Sequence, residues 1–176
     1  MDQSITPRYQ ATYRQAELRL IAENAKQGQS LCYVGIAGTG KSNITNFLHS
    51  DPDGYKAHYF GEQSSRFLFP VVDGNTWDQT PAGLWKLMLA ALADVARHLG
   101  QPETDGKLIQ FSEDQRAFRE LKTHVDWLCQ KREQWAVFVL DDFDKVIATG
   151  PLAMLEQLNA LRSSGNRGKL SYLIFT

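Results

Sequence analysis

The octet Gly35-Ile36-Ala37-Gly38-Thr39-Gly40-Lys41-Ser42 restricts this chain more than any other stretch. Glycine reaches backbone conformations that other residues avoid, so Gly38 and Gly40 let the main chain curl until successive N–H groups point inward, where they can surround an anion. Lys41 then opens a helix, and a helix N-terminus adds its own positive field. The flanks agree. Leu31-Cys32-Tyr33-Val34 reads as a short strand buried on both faces, and Ile44, Phe47 and Leu48 recur at helical spacing until Asp51-Pro52-Asp53-Gly54 supplies a strong turn signal. Strand, glycine loop and helix together are the setting of a phosphate-binding loop.

Such a loop implies a nucleoside triphosphate, with ATP and Mg²⁺ as the expected pair. Gly35, Ile36, Ala37, Gly38, Thr39, Gly40, Lys41, Ser42 and Asn43 would line the phosphates, the Lys41 ammonium would bridge the β- and γ-phosphates, and the Ser42 hydroxyl would ligate Mg²⁺. A second motif adds acids. Val137-Phe138-Val139-Leu140 reads as a buried strand that delivers Asp141 and Asp142 at its carboxyl end, the edge where ligands bind in open α/β sheets. Asp141 would hold the metal directly or through water, and Asp142 would orient or deprotonate an attacking water.

The remaining pattern alternates strands with helices. Residues Ala11 to Lys26 read as an amphipathic helix with Ala16, Leu20 and Ile21 on its apolar side. Tyr55 to Arg66 shows no clear period. Phe67-Leu68-Phe69-Pro70-Val71-Val72 reads as a second strand, which Pro70 assigns to a sheet edge, closed by Asp73-Gly74-Asn75. Thr80 caps a helix with Pro81 in its first turn, apolar residues from Leu84 to Leu99 and Gly100 beyond its end. After a linker from Gln101 to Gln110, Ser112 and Gln115 form a capping-box pattern ahead of Phe118, Leu121, Val125 and Leu128. A helix from Pro151 to Arg162 and a fourth strand, Tyr172 to Phe175, complete the series. The expectation is an α/β, three-layer fold with a mostly parallel sheet.

About a hundred residues, including a further strand and two helices, separate the loop from Asp141. With Gly35 to Ser42, Leu140-Asp141-Asp142-Phe143-Asp144 and the helix, polar turn and strand of Leu158 to Thr176, the sequence resembles the additional-strand P-loop ATPases. Within them it is similar to STAND-type regulatory ATPases, near the origin-recognition branch of AAA+ proteins. The resemblance implies roles position by position: Lys41 on phosphate, Ser42 and Asp141 on metal, Asp142 as the water-activating acid, and Thr176 as the polar sensor of γ-phosphate or attacking water. Lys41, Asp142 and Thr176 are thus the candidate catalytic residues. Many AAA+ proteins carry Glu at the second acid, whereas Asp142 is one methylene shorter, as is common in the STAND group, so slow hydrolysis is expected. The Gly-Arg box of these families is echoed at Tyr13-Arg14-Gln15-Ala16-Glu17, the expected adenine side.

The resemblance also implies one P-loop nucleotide-binding domain over residues 1–176, with a leading segment and helix at 1–30 and a core at 31–176. That core stops after the fourth strand, short of the fifth strand, lid and winged helix, and an unpaired first strand implies self-association. Three functions follow: a slowly hydrolysing regulatory ATPase that signals through protein partners or further domains, a scaffold that binds ATP without turnover, or an origin-recognition ATPase acting on DNA through other domains.

Other classes lack their signatures. There is no Asn-Lys-x-Asp base-reading motif, and Asp51-Pro52-Asp53-Gly54 follows a helix, so it reads as a turn and not as a GTPase switch. No Ser-Gly-Gly signature precedes the acidic strand. A net charge of -1 without long basic runs gives no direct nucleic-acid signal. No apolar run reaches the ~20 residues of a membrane span and no signal peptide is legible, so the cytoplasm is the expected compartment. Cys32 and Cys129 read as reduced core residues, His49, His58, His98 and His124 as surface or helical positions, and Trp77, Trp85, Trp127 and Trp135 as core. Arg162 and Arg167 read as a solvated face.

Overall fold

The computed structural model describes residues 14–35, 40–50, 56–100, 102, 112–163 and 165–176. Its elements in chain order are α1 (Gln15–Lys26), β1 (Leu31–Tyr33), α2 (Lys41–Ser50), α3 (Lys56–Phe60), β2 (Phe67–Leu68), β3 (Val71–Asp73), α4 (Pro81–Ala96), α5 (Glu113–Asp126), β4 (Trp135–Asp141), α6 (Asp144–Thr149), α7 (Leu152–Ser163) and β5 (Leu170–Phe175).

All strand pairs among these residues are parallel, in the order β1, β5, β4, then β2 and β3 together on the far side of β4. β4 is the spine. Its residues alternate between two cores, because successive side chains of a strand point to opposite faces. Ala136, Phe138 and Leu140 join Leu170 and Tyr172 of β5 in a core closed by α4, α5 and α7. Val137 and Val139 join Leu173 and Phe175 in a second core closed by α1, α2 and the α3 segment. The result is the expected three-layer α/β arrangement, with β4 buried from both sides.

Local signals set the helix ends. The Thr80 hydroxyl accepts from Gly83 N at 3.0 Å with Pro81 in the first turn, and α4 then buries Leu84, Trp85, Met88, Leu92 and Ala96 along one face. The capping box is present in both directions: Ser112 Oγ accepts from Gln115 N, and Gln115 Oε1 accepts from Ser112 N, each at 3.3 Å. Pro70 does break its strand. The apolar run 67–72 splits into β2 and β3, both at the sheet edge, because proline cannot donate to a ladder.

Four expectations change. β1 is not buried on both faces: Cys32 is exposed and Val34 is 80% exposed, since no described element covers that face of the strand. Cys32 is therefore a surface thiol, whereas Cys129 lies in the core and burial pushes its pKa up to about 12. On α1 the buried residues are Leu18, Ile21, Ala22 and Ala25, and of the three expected on the apolar side Ala16 and Leu20 are exposed. Residues 56–66, which lack a clear period, form α3 and a 3₁₀ turn that bury Tyr59 and Phe60.

The strand standing between β1 and β4 is β5, the last in the chain; the strand from the intervening sequence sits beyond β4 instead. The carboxyl ends of β1, β5 and β4 consequently lie side by side.

Candidate functional site

The site forms along that shared edge. Of the phosphate-loop octet the described part is Gly35 and Gly40 to Ser42; Ile36, Ala37, Gly38 and Thr39 lie outside the described residues. Gly40 has φ 80°, the left-handed region that a side chain disfavours, and its carbonyl accepts the first helical bonds of α2 from Asn43 N and Ile44 N. Ser42 and Asn43 are exposed in the first turn.

Lys41 reaches back over the strand ends. Its Nζ donates to Gly35 O at 2.6 Å and to Thr176 O at 3.1 Å. The main chain joins the same residues: Gly35 N donates to Thr176 O at 3.1 Å, and Thr176 N donates to Tyr33 O at 3.3 Å. Thr176 is thereby brought beside Gly35 and Lys41 through its main-chain atoms. Neutral carbonyls are weaker acceptors for an ammonium than charged oxygens are.

Asp141 and Asp142 end β4 in different surroundings. Asp141 is half-buried; Thr45 of α2 places its hydroxyl 3.4 Å from Asp141 Oδ2. Burial raises the Asp141 pKa, the adjacent Asp142 raises it further, and Asp73, opposite in the β3 register, adds to this. Among the described residues no lysine or arginine forms an ion pair with Asp141. No group of three or more His, Cys, Asp or Glu side chains among the described residues could hold a metal ion. The residues that could hold Mg²⁺ are thus the Asp141 carboxylate and the Ser42 hydroxyl in the first turn of α2, a donor set that fits an ion which takes one or two protein ligands and completes its shell with phosphate oxygens and water.

Asp142 is exposed and left-handed, with φ 47°, a conformation that aspartate tolerates better than most residues. Its Oδ2 accepts from Asn75 Nδ2 at 2.9 Å. The turn after Asp142 is tied to β5 by Phe143 N donating to Phe175 O at 3.0 Å. Asn75 and Thr45 are the two site residues that the sequence motifs missed. Asn75 belongs to a turn signal after the edge strand, and its place beside Asp142 depends on β3 pairing with β4, where Asp73 stands opposite Asp141. Thr45 sits one helical turn beyond Lys41, outside the octet.

The segment that the sequence suggested for the adenine side is partly placed. Tyr13 lies outside the described residues, while Arg14 donates to Glu17 Oε1 at 2.9 Å and to Tyr33 Oη at 3.0 Å, joining the start of α1 to the strand that leads into the loop. Arg162 does not lie on a solvated face. It is partly buried and donates to Gly28 O at 2.7 Å, whereas Arg167 is exposed.

A parallel sheet in this order, with a lysine at the start of α2 and acids at the end of β4, defines a P-loop NTPase-like α/β fold. No protein-family model matches the chain, and no curated protein matches it significantly. Among solved structures it is similar to the ORC2 protein of Aeropyrum pernix, an archaeal AAA+ ATPase determined as ADPNP and ADP complexes. The TM-score is 0.60 at 17% sequence identity, over 99% of this chain and 43% of that one. At that identity the likeness shows the fold, and the chain spans less than half the length of its neighbour.

Proposed function

We propose that the chain is an ATP-binding, slowly hydrolysing P-loop ATPase module whose nucleotide state regulates protein partners or further domains. One observation carries this reading: Lys41, Thr176 and Asp141 converge on the carboxyl edge of three adjacent parallel strands. Gly35 to Asn43 would hold the phosphates, with Lys41 exchanging its two carbonyl acceptors for phosphate oxygens. Ser42 and Asp141 would hold Mg²⁺, which when bound neutralises phosphate charge. Asp142 would take the proton of an attacking water, and the Thr176 hydroxyl would touch the γ-phosphate. The STAND-type assignment rests on Leu140 to Asp144 and the short acid at position 142. The fold shared with an archaeal ORC2 favours the origin-recognition alternative, in which DNA would be engaged by other domains.

A second reading, a scaffold that binds ATP without turnover, is favoured by the bond that engages Asp142 with Asn75. Phosphate release separates the two. Wild type should exceed Asp142→Asn by roughly 10²-fold, the lower range for a general base, whereas equal rates would sink the catalytic role. Fluorescence titration with labelled ATP and GTP tests binding itself. Lys41→Ala should abolish it, and undiminished binding would overturn the whole reading.

A further inference from the structure

Thr45 is 5% exposed, and its hydroxyl faces two acceptors at the same distance. Oγ1 lies 3.4 Å from Lys41 O, the carbonyl four residues back in α2, and 3.4 Å from Asp141 Oδ2 across the interface with β4. A helical threonine ordinarily gives its single proton to that carbonyl. Here a carboxylate competes for it, and a hydrogen bond to a charged acceptor is the stronger of the two.

The surroundings of Asp141 say what this bond is for. The carboxylate receives a neutral donor, the Thr45 hydroxyl, and faces the like charges of Asp142 and Asp73. Among the described residues no lysine or arginine pairs with it. A neutral donor orients a carboxylate without cancelling its charge, which leaves that charge for a cation from outside. Because Thr45 belongs to the helix that begins with Lys41 and Ser42, the bond also ties the carboxylate to the element carrying the phosphate-binding residues.

We propose that Thr45 is a positioning residue for the metal site: its hydroxyl fixes the Asp141 carboxylate to α2, so that a divalent cation arriving with the nucleotide meets a preset ligand. The inference rests on the nucleotide-binding reading above.

Thr45→Val preserves shape and removes the hydroxyl, while Thr45→Ser restores it. Labelled ATP is titrated against the whole chain in EDTA, and then at fixed nucleotide with increasing MgCl₂. Wild type and Thr45→Ser should share one half-saturating Mg²⁺ concentration, and Thr45→Val should need roughly tenfold more, the lower end of the effect of partners that orient metal ligands. Affinity in EDTA should stay within about twofold for all three. An unchanged Mg²⁺ requirement in Thr45→Val overturns the proposal, as does an equal loss of affinity with and without Mg²⁺, which marks a structural role. Wild-type binding that ignores Mg²⁺ also overturns it while sparing the nucleotide reading; no wild-type binding at all overturns both. If circular dichroism shows Thr45→Val unfolded, Thr45→Ala carries the same comparison.

Discussion

Two neighbouring aspartates at the end of β4 have different surroundings, and the differences are testable. Burial and the charges of Asp142 and Asp73 raise the pKa of Asp141, so its carboxyl binds a proton more tightly folded than unfolded. Its contribution to stability is therefore most favourable below the ordinary value of 3.8 and is lost as pH rises through the raised one. Asp141→Asn removes that titration. In nucleotide-free urea melts the variant should be more stable than wild type at neutral pH, with the difference vanishing towards pH 3.8. Asp142 is anchored instead by Asn75. On the hydrolytic reading proposed above that bond orients Asp142, so Asn75→Ala should lower phosphate release at saturating ATP with unchanged ATP affinity. A faster variant would mean that Asn75 holds Asp142 away from the water. The acids themselves were legible in the sequence because an apolar strand pattern delivers them to a sheet edge. Asn75 and Thr45 were not, because each acquires its role only when β3 and α2 pack against β4.

The turn joining β3 to the site shows how closely elements must approach there. A Cβ on Gly74 would come within 2.3 Å of Asp142 O and 3.1 Å of Asp141 O, and backbone atoms cannot swing aside as a flexible side chain would. Gly74→Ala should consequently destabilise the fold by about 1–3 kcal/mol, read from urea melts, and slow phosphate release through displacement of Asp142. Nucleotide affinity should suffer less, since the phosphate loop follows β1 on the other side of β5. At this scale the sequence was most informative where a residue acts locally. Thr80, Ser112 with Gln115, and Pro70 each do in the structure what their chemistry dictates. It was least informative where tertiary packing decides. Residues 56–60 become helical because Tyr59 and Phe60 fill the core beside α1 and α2, without a helical period to announce it. β1 reads as buried from its apolar composition, yet its partner β5 covers one edge and no described helix covers Cys32 or Val34.

For the molecule as a whole, strand alternation made the parallel α/β class legible, but the order of strands was not, because order depends on which crossovers pass over which neighbour. That order leaves β1 at one end of the sheet among the described residues. Its free edge is only three residues long, so association through it should be weak, appearing in size-exclusion chromatography as a concentration-dependent shift at high protein concentration. The same order joins the phosphate loop to the core. Lys41 and Gly35 bond to Thr176, β5 lies against β4 along its length, and Phe143 returns to Phe175, so a ligand at the loop engages the spine of the fold. Binding to the folded state alone stabilises by about 2.7 kcal/mol at a hundredfold excess over Kd. For a chain of 176 residues that corresponds to a rise in Tm of roughly 5–10 °C. Thermal melts with ATP and Mg²⁺ should show this rise, Lys41→Ala should show none, and Asp141→Asn should respond to ATP in EDTA as wild type does but gain nothing when Mg²⁺ is added. A melt of wild type unmoved by saturating ATP would mean that the strand ends are assembled without a nucleotide to hold.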